Sequence, residues 1–96
     1  MMEIRETETY ARWFKKLRDR QARVRILARI RLLSLGTPGQ VEPVGEGVSE
    51  MKIDYGPGYR LYYQQRGETV AILLVGGDKR TQKRDIEKAK ALAREL

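Results

Sequence analysis

Ile53-Asp54-Tyr55-Gly56-Pro57-Gly58-Tyr59-Arg60-Leu61-Tyr62-Tyr63 is the stretch whose reading decides the fold. Apolar and polar residues alternate on both sides of Gly-Pro-Gly. Upstream, Met51, Ile53 and Tyr55 fall on one face, with Glu50, Lys52 and Asp54 on the other. Downstream, Tyr59, Leu61 and Tyr63 oppose Arg60, Tyr62 and Gln64. A period of two is the mark of a strand half-buried on one side. Pro57 and Gly58 suit positions i+1 and i+2 of a type II turn, so the two arms read as a hairpin. Pairing through that turn places Lys52, Asp54, Arg60 and Tyr62 on one polar face.

Working outward, Arg66-Gly67-Glu68 is a second turn, and residues 70–75 are continuously apolar, as expected of a central strand covered on both sides. Gly76-Gly77-Asp78-Lys79-Arg80 then leads to a helix capped by Thr81 and carrying Ile86, Ala89, Leu92, Ala93 and Leu96. Glycines before a helix N-terminus let a phosphate approach the backbone, although a plain strand-to-helix turn has the same composition. The spacing is not that of a Walker loop. On the other side, residues 2–6 read as a short first strand. Thr7 is a helix cap, and Tyr10, Trp13, Phe14 and Leu17 form one apolar stripe over residues 8–18. Asp19 caps a second helix over 20–35, in which Ile26, Leu27, Ile30 and Leu33 repeat the helical spacing before Gly36 and Pro38 stop it. Residues 36–47, with four glycines and two prolines, read as a loop. The expected order is β-α-α-β-β-β-α in one domain spanning 1–96, an α+β fold with a helical hairpin packed on an antiparallel-rich sheet.

Composition narrows the chemistry. The 96 residues contain neither cysteine nor histidine, which removes disulfides, thiolates and the commonest acid/base and metal ligand. The acids form no D-x-D-type cluster, so no metal site is expected. The opening Met1-Met2-Glu3-Ile4-Arg5-Glu6 is charged and lacks the apolar core of a leader, and a cytoplasmic location without membrane association is expected. Net charge is +7, which favours an acidic partner, nucleic acid first. The excess sits in one stretch: Lys15, Lys16, Arg18, Arg20, Arg23, Arg25, Arg29 and Arg31 face Asp19 alone. With almost no acids nearby, intrahelical ion pairs do not account for it. Tyr62, beside Arg60 on the polar face, is the stacking candidate for a base, and Gln82 and Lys83 extend the candidate nucleic-acid surface.

At this point the strings from Ile53 to Tyr63 and Leu74-Val75-Gly76-Gly77-Asp78-Lys79-Arg80-Thr81-Gln82, with the element order, resemble the RelE/ParE toxin superfamily. More narrowly they resemble the phage-derived addiction module killer proteins, close to HigB-type toxins. The resemblance covers essentially the whole chain. It implies the toxin of a type II toxin–antitoxin system, a metal-independent endoribonuclease that cleaves mRNA on the ribosome. Its partners would be the ribosome, mRNA and a small antitoxin of helix-turn-helix type encoded beside it, with no small-molecule cofactor. It further implies a catalytic set of Arg60, Lys52 and Lys79 or Arg80. The sequence departs from the RelE pattern at Asp54, where a second strand lysine is usual, and near Asp85 and Ile86, where the last helix lacks a tyrosine. Histidines, frequent in HigB-type relatives, are absent.

The residues by themselves leave alternatives open. Cleavage of RNA by its own 2′-hydroxyl needs a base, charge stabilisation of the phosphorane and an acid. Arg60 suits the phosphate because guanidinium binds it bidentately and stays charged. Arg60 paired with Asp54 or Glu50 would instead be a structural cross-strand contact. A ParE-like toxin that inhibits DNA gyrase by protein contact and a non-catalytic nucleic-acid-binding module are the competing functions.

Overall fold

Side-chain caps start the first two helices. In the computed structural model, which describes residues 1–96, Thr7 accepts the Tyr10 N–H at 3.0 Å and Asp19 accepts that of Ala22 at 3.1 Å. They open α1 (Glu8–Lys16) and α2 (Arg20–Ser34). Ahead of them runs β1 (Glu3–Glu6), and after them come β2 (Val41–Gly45), β3 (Val48–Ile53), β4 (Tyr59–Arg66) and β5 (Val70–Asp78). A 3-10 turn at Lys79–Thr81 leads into α3 (Gln82–Glu95). The five strands form one sheet in the order β1-β5-β4-β3-β2, antiparallel except for the β1–β5 pair.

The sheet is covered on both faces, and strand alternation divides the core accordingly. On one face, Tyr10, Ala22, Ile26 and Leu33 of the helical hairpin meet Met51, Ile53, Leu61, Tyr63 and Leu73. On the other, Ala89 and Ala93 of α3 meet Val48, Tyr62, Ile72, Leu74 and Val75. A bulge lets Leu74 and Val75 share that second face: Tyr62 pairs with Val75 and Tyr63 with Leu73, leaving Leu74 unmatched. β5, paired on both edges and buried from Ala71 to Gly77, is the central strand the apolar run predicts.

Four sequence expectations need correction. Residues 36–47 are not all loop, because Val41 and Val44 turn inward and pair β2 with β3. Pro43 is tolerated there because β2 is an edge strand. Glu46 and Gly47, at φ 54° and 78°, make the tight hairpin turn, since both central residues of a type I′ turn need positive φ. Second, the Gly-Pro-Gly turn closes one residue early: Gly58 N–H donates to Tyr55 O at 3.1 Å, which puts Gly56 (φ 59°) and Pro57 in the centre. Third, Thr81 makes no cap bond; Asp78 accepts the Arg80 N–H at 2.8 Å and opens the 3-10 turn instead. Thr81 Oγ1 donates to Asp85 Oδ2 at 2.5 Å. Fourth, Leu27 lies outside the core, 53% exposed on the outer side of α2.

Candidate functional site

The β3–β4 register sets Lys52 directly opposite Arg60. Two like charges facing each other across a ladder cost stability, so each needs an offset nearby. Lys52 Nζ finds Glu42 Oε1 of β2 at 3.6 Å, and Arg60 Nε finds Glu50 Oε1 at 4.0 Å. The Arg60 side chain is 12% exposed. Its Nη1 donates to Gly58 O at 3.0 Å and Tyr59 O at 3.3 Å, and its Nε lacks a hydrogen-bond partner. Gly58 leaves room for this guanidinium: a Cβ there would lie 3.2 Å from Nη1, and φ is 80°.

Around this pair lies a groove of about 410 Å³ lined by Gln40, Lys52, Asp54, the Gly56-Pro57-Gly58 turn, Arg60 and Lys79. Lys79 enters from the end of β5 and sits beside the turn, its Cβ 3.6 Å from where a Gly58 Cβ would be. Lys79 and Asp54 are exposed and make no ion pair or side-chain hydrogen bond. Three cations and one carboxylate thus converge on a polar groove at one end of the sheet. Behind it lies a buried network that sequence reasoning missed. Glu50, 2% exposed, accepts the Tyr62 hydroxyl at 3.0 Å and the Gln82 amide at 2.8 Å while facing Arg60. The signal available was a glutamate at an alternating strand position, which only the packing of α3 turns into a buried carboxylate.

The other expected site residues disperse. Tyr62 cannot stack on a base, because α3 covers it completely. Burial, with Glu50 accepting its hydroxyl, pushes its phenol well above the ordinary range and keeps it a neutral donor. Gln82 turns inward to Glu50 rather than outward. Arg80 parts from Lys79: it pairs with Asp78 at 3.0 Å, holding that carboxyl below its usual range. With Thr81, Lys83, Arg84 and Glu87 it lines a separate depression along α3. Gly76 and Gly77 are buried strand residues, not a phosphate loop. A Cβ on Gly76 would run into the Trp13 ring, and one on Gly77 into the Asp85 carboxylate.

The basic stretch divides as well. Lys15, Lys16, Arg18 and Arg20 are exposed at the α1–α2 junction. Arg25 is exposed, its guanidinium 4.8 Å from the centre of the Tyr55 ring. Arg23 is occupied: Nη1 donates to Phe14 O at 2.9 Å and Leu17 O at 3.1 Å, and its guanidinium lies over the Phe14 ring. Arg29 is a clamp, donating to the carbonyls of Pro38, Gln40 and Lys52 at 2.6–3.2 Å. Burial pulls its pKa below the ordinary value. Arg29→Ala should therefore lower stability by about 2 kcal/mol, since it strips three carbonyls of a charged donor. Denaturant unfolding checks this; a loss of RNA affinity at unchanged stability would contradict it.

Comparisons with known proteins agree with this architecture. The family model for Phage derived protein Gp49-like (DUF891) matches residues 12–96. An uncharacterized protein of Haemophilus influenzae is 43% identical over 95 residues, covering 99% of this chain and 96% of its own. A chain in the crystal structure of the intact E. coli RelBE toxin–antitoxin complex superposes with a TM-score of 0.65 at 22% identity. That match covers 81% of this chain and 96% of the other, and at such identity the likeness is one of fold.

Proposed function

The chain belongs to the phage-derived Gp49-like family and has a RelE-like α+β fold, and on that premise we propose that it is the toxin of a type II toxin–antitoxin pair, an endoribonuclease acting on ribosome-bound mRNA. The observation that carries the reading is the groove in which Lys52, Arg60 and Lys79 meet Asp54. A phosphodiester entering it meets Arg60, anchored from behind by Glu50 and the turn carbonyls. In the reaction, the 2′-oxygen attacks the adjacent phosphorus as the bond to the 5′-oxygen breaks. The products are a 2′,3′-cyclic phosphate and a 5′-hydroxyl. Arg60 and Lys52 stabilise the doubly charged phosphorane. Asp54, the one carboxylate lining the groove, takes the 2′-proton, and Lys79 supplies the proton to the leaving oxygen. No helix of the chain is long and apolar enough to cross a membrane.

Expression of the chain alone should arrest growth and translation, and co-expression of the small protein encoded beside it should relieve the arrest. Normal growth at verified folded expression would contradict the toxin reading. Arrest with intact mRNA and inhibited gyrase would move the assignment to the ParE-like alternative.

Lys15, Lys16, Arg18 and Arg20 serve encounter rather than chemistry in this account. They carry no ion pair or side-chain hydrogen bond and lie outside the groove. Replacing all four by glutamine should weaken ribosome binding and flatten its salt dependence by about 2–4 units of log K per log salt. An unchanged slope would show that this surface is merely solvated.

A further inference from the structure

α2 is apolar on two sides. Ala22, Ile26 and Leu33 point into the core, which is the single stripe a surface helix needs. Val24, Ala28, Arg31 and Leu35 follow one another at intervals of four, three and four residues, so they form a second stripe on the outside. Leu27 and Leu32 flank it. Val24, Leu27, Leu32 and Leu35 are 55, 53, 41 and 48% exposed and, apart from the two chain-terminal residues, are the large apolar side chains this fold leaves in water. Two apolar sides on one helix are expected where both are covered.

Charge selects what covers the outer side. α2 contains five arginines and no acid. Arg23 and Arg29 are committed to carbonyls within the fold, whereas Arg20, one turn before Val24, and Arg31, between Ala28 and Leu35, stand exposed along the outer side without an ion-pair partner. A second copy docked by two-fold symmetry would lay arginine against arginine in a chain of net charge +7. A phosphate backbone would satisfy the arginines but not the leucines beside them. An amphipathic helix with apolar residues at i, i+3/i+4 and i+7 and acids flanking that stripe satisfies both.

We propose that the outer face of α2, from Val24 to Leu35, docks an acidic amphipathic helix of another protein and, resting on the toxin reading above, that the neutralising small partner supplies it. The test uses the small protein encoded beside this chain, titrated calorimetrically against wild type, Val24→Ser/Leu27→Ser and Arg31→Glu. Each variant should raise the Kd at least about tenfold, a loss of about 1.4 kcal/mol. The free variants should stay folded and melt close to the wild-type temperature, because exposed substitutions cost little stability. The double variant should still arrest growth, now even with the partner present. Wild-type affinity in both variants would overturn the assignment of this face while leaving the toxin reading intact. No complex with wild type would overturn both. A wild-type homodimer abolished by Val24→Ser/Leu27→Ser would transfer the face to a second copy and overturn the proposal.

Discussion

Arg60→Ala is expected to slow single-turnover mRNA cleavage on programmed ribosomes by about 100-fold or more, the usual cost of removing one preorganised donor from a developing oxyanion. The guanidinium is held by Gly58 O, Tyr59 O and Glu50 before any phosphate arrives, so little reorganisation accompanies its use. Stability should fall too, by about 1–3 kcal/mol, because Glu50 remains buried and loses its facing cation. The two effects separate in a second variant. Adding Glu50→Gln to Arg60→Ala removes the stranded charge and should recover part of the stability while leaving cleavage slow. Arg60→Lys should restore only part of the rate, because an ammonium cannot reproduce the bidentate fork. Cleavage by folded Arg60→Ala at near the wild-type rate would reduce Arg60 to a structural partner of Glu50.

Gly76→Ala should produce the largest loss of stability among single-methyl additions, about 1–3 kcal/mol. The new Cβ would overlap the Trp13 ring, and α1 is tied to β5 close by, with Thr7 Oγ1 donating to Leu74 O at 2.6 Å. The ring therefore has little room to withdraw. Trp13 is the single tryptophan, so its fluorescence reports the displacement directly. Trp13→Phe, which shrinks the ring, should recover part of the loss when combined with Gly76→Ala. A neutral Gly76→Ala would mean that α1 moves freely over β5, contrary to the packing described above.

Much of this architecture was legible because strands and helices carry different periods. The alternation around Gly56-Pro57-Gly58 located β3 and β4 and the faces of Met51, Ile53, Leu61 and Tyr63. Capping residues located α1 and α2. β2 escaped because Val41 and Val44 are too few to make a pattern, and Pro43 and Gly45 read as breakers. Periodicity names two faces of a strand but not which of them a distant helix covers. For that reason alternation puts Tyr62 and Glu50 on the polar face, although α3 buries both. The same limit applies to α2, where two apolar stripes compete and spacing alone placed Leu27 inside. Gly76-Gly77 stays open between a phosphate approach and a plain turn for a related reason: its use is to admit Trp13 and Asp85, contacts made at long range in sequence. Lys52 and Arg60 were legible as a pair because register across the hairpin determines proximity, whereas Lys79 entered with Arg80 only through the family resemblance, and the groove takes Lys79 alone.

Mapping the 5′ ends of cellular mRNA shortly after expression of the wild-type chain reads the proposed cleavage itself. New ends are expected within translated reading frames, bearing 5′-hydroxyls, that disappear from a reporter whose start codon has been removed. They should also be absent with folded Arg60→Ala. Growth arrest with mRNA uncut, or cut equally in translated and untranslated messages, would contradict ribosome-dependent cleavage.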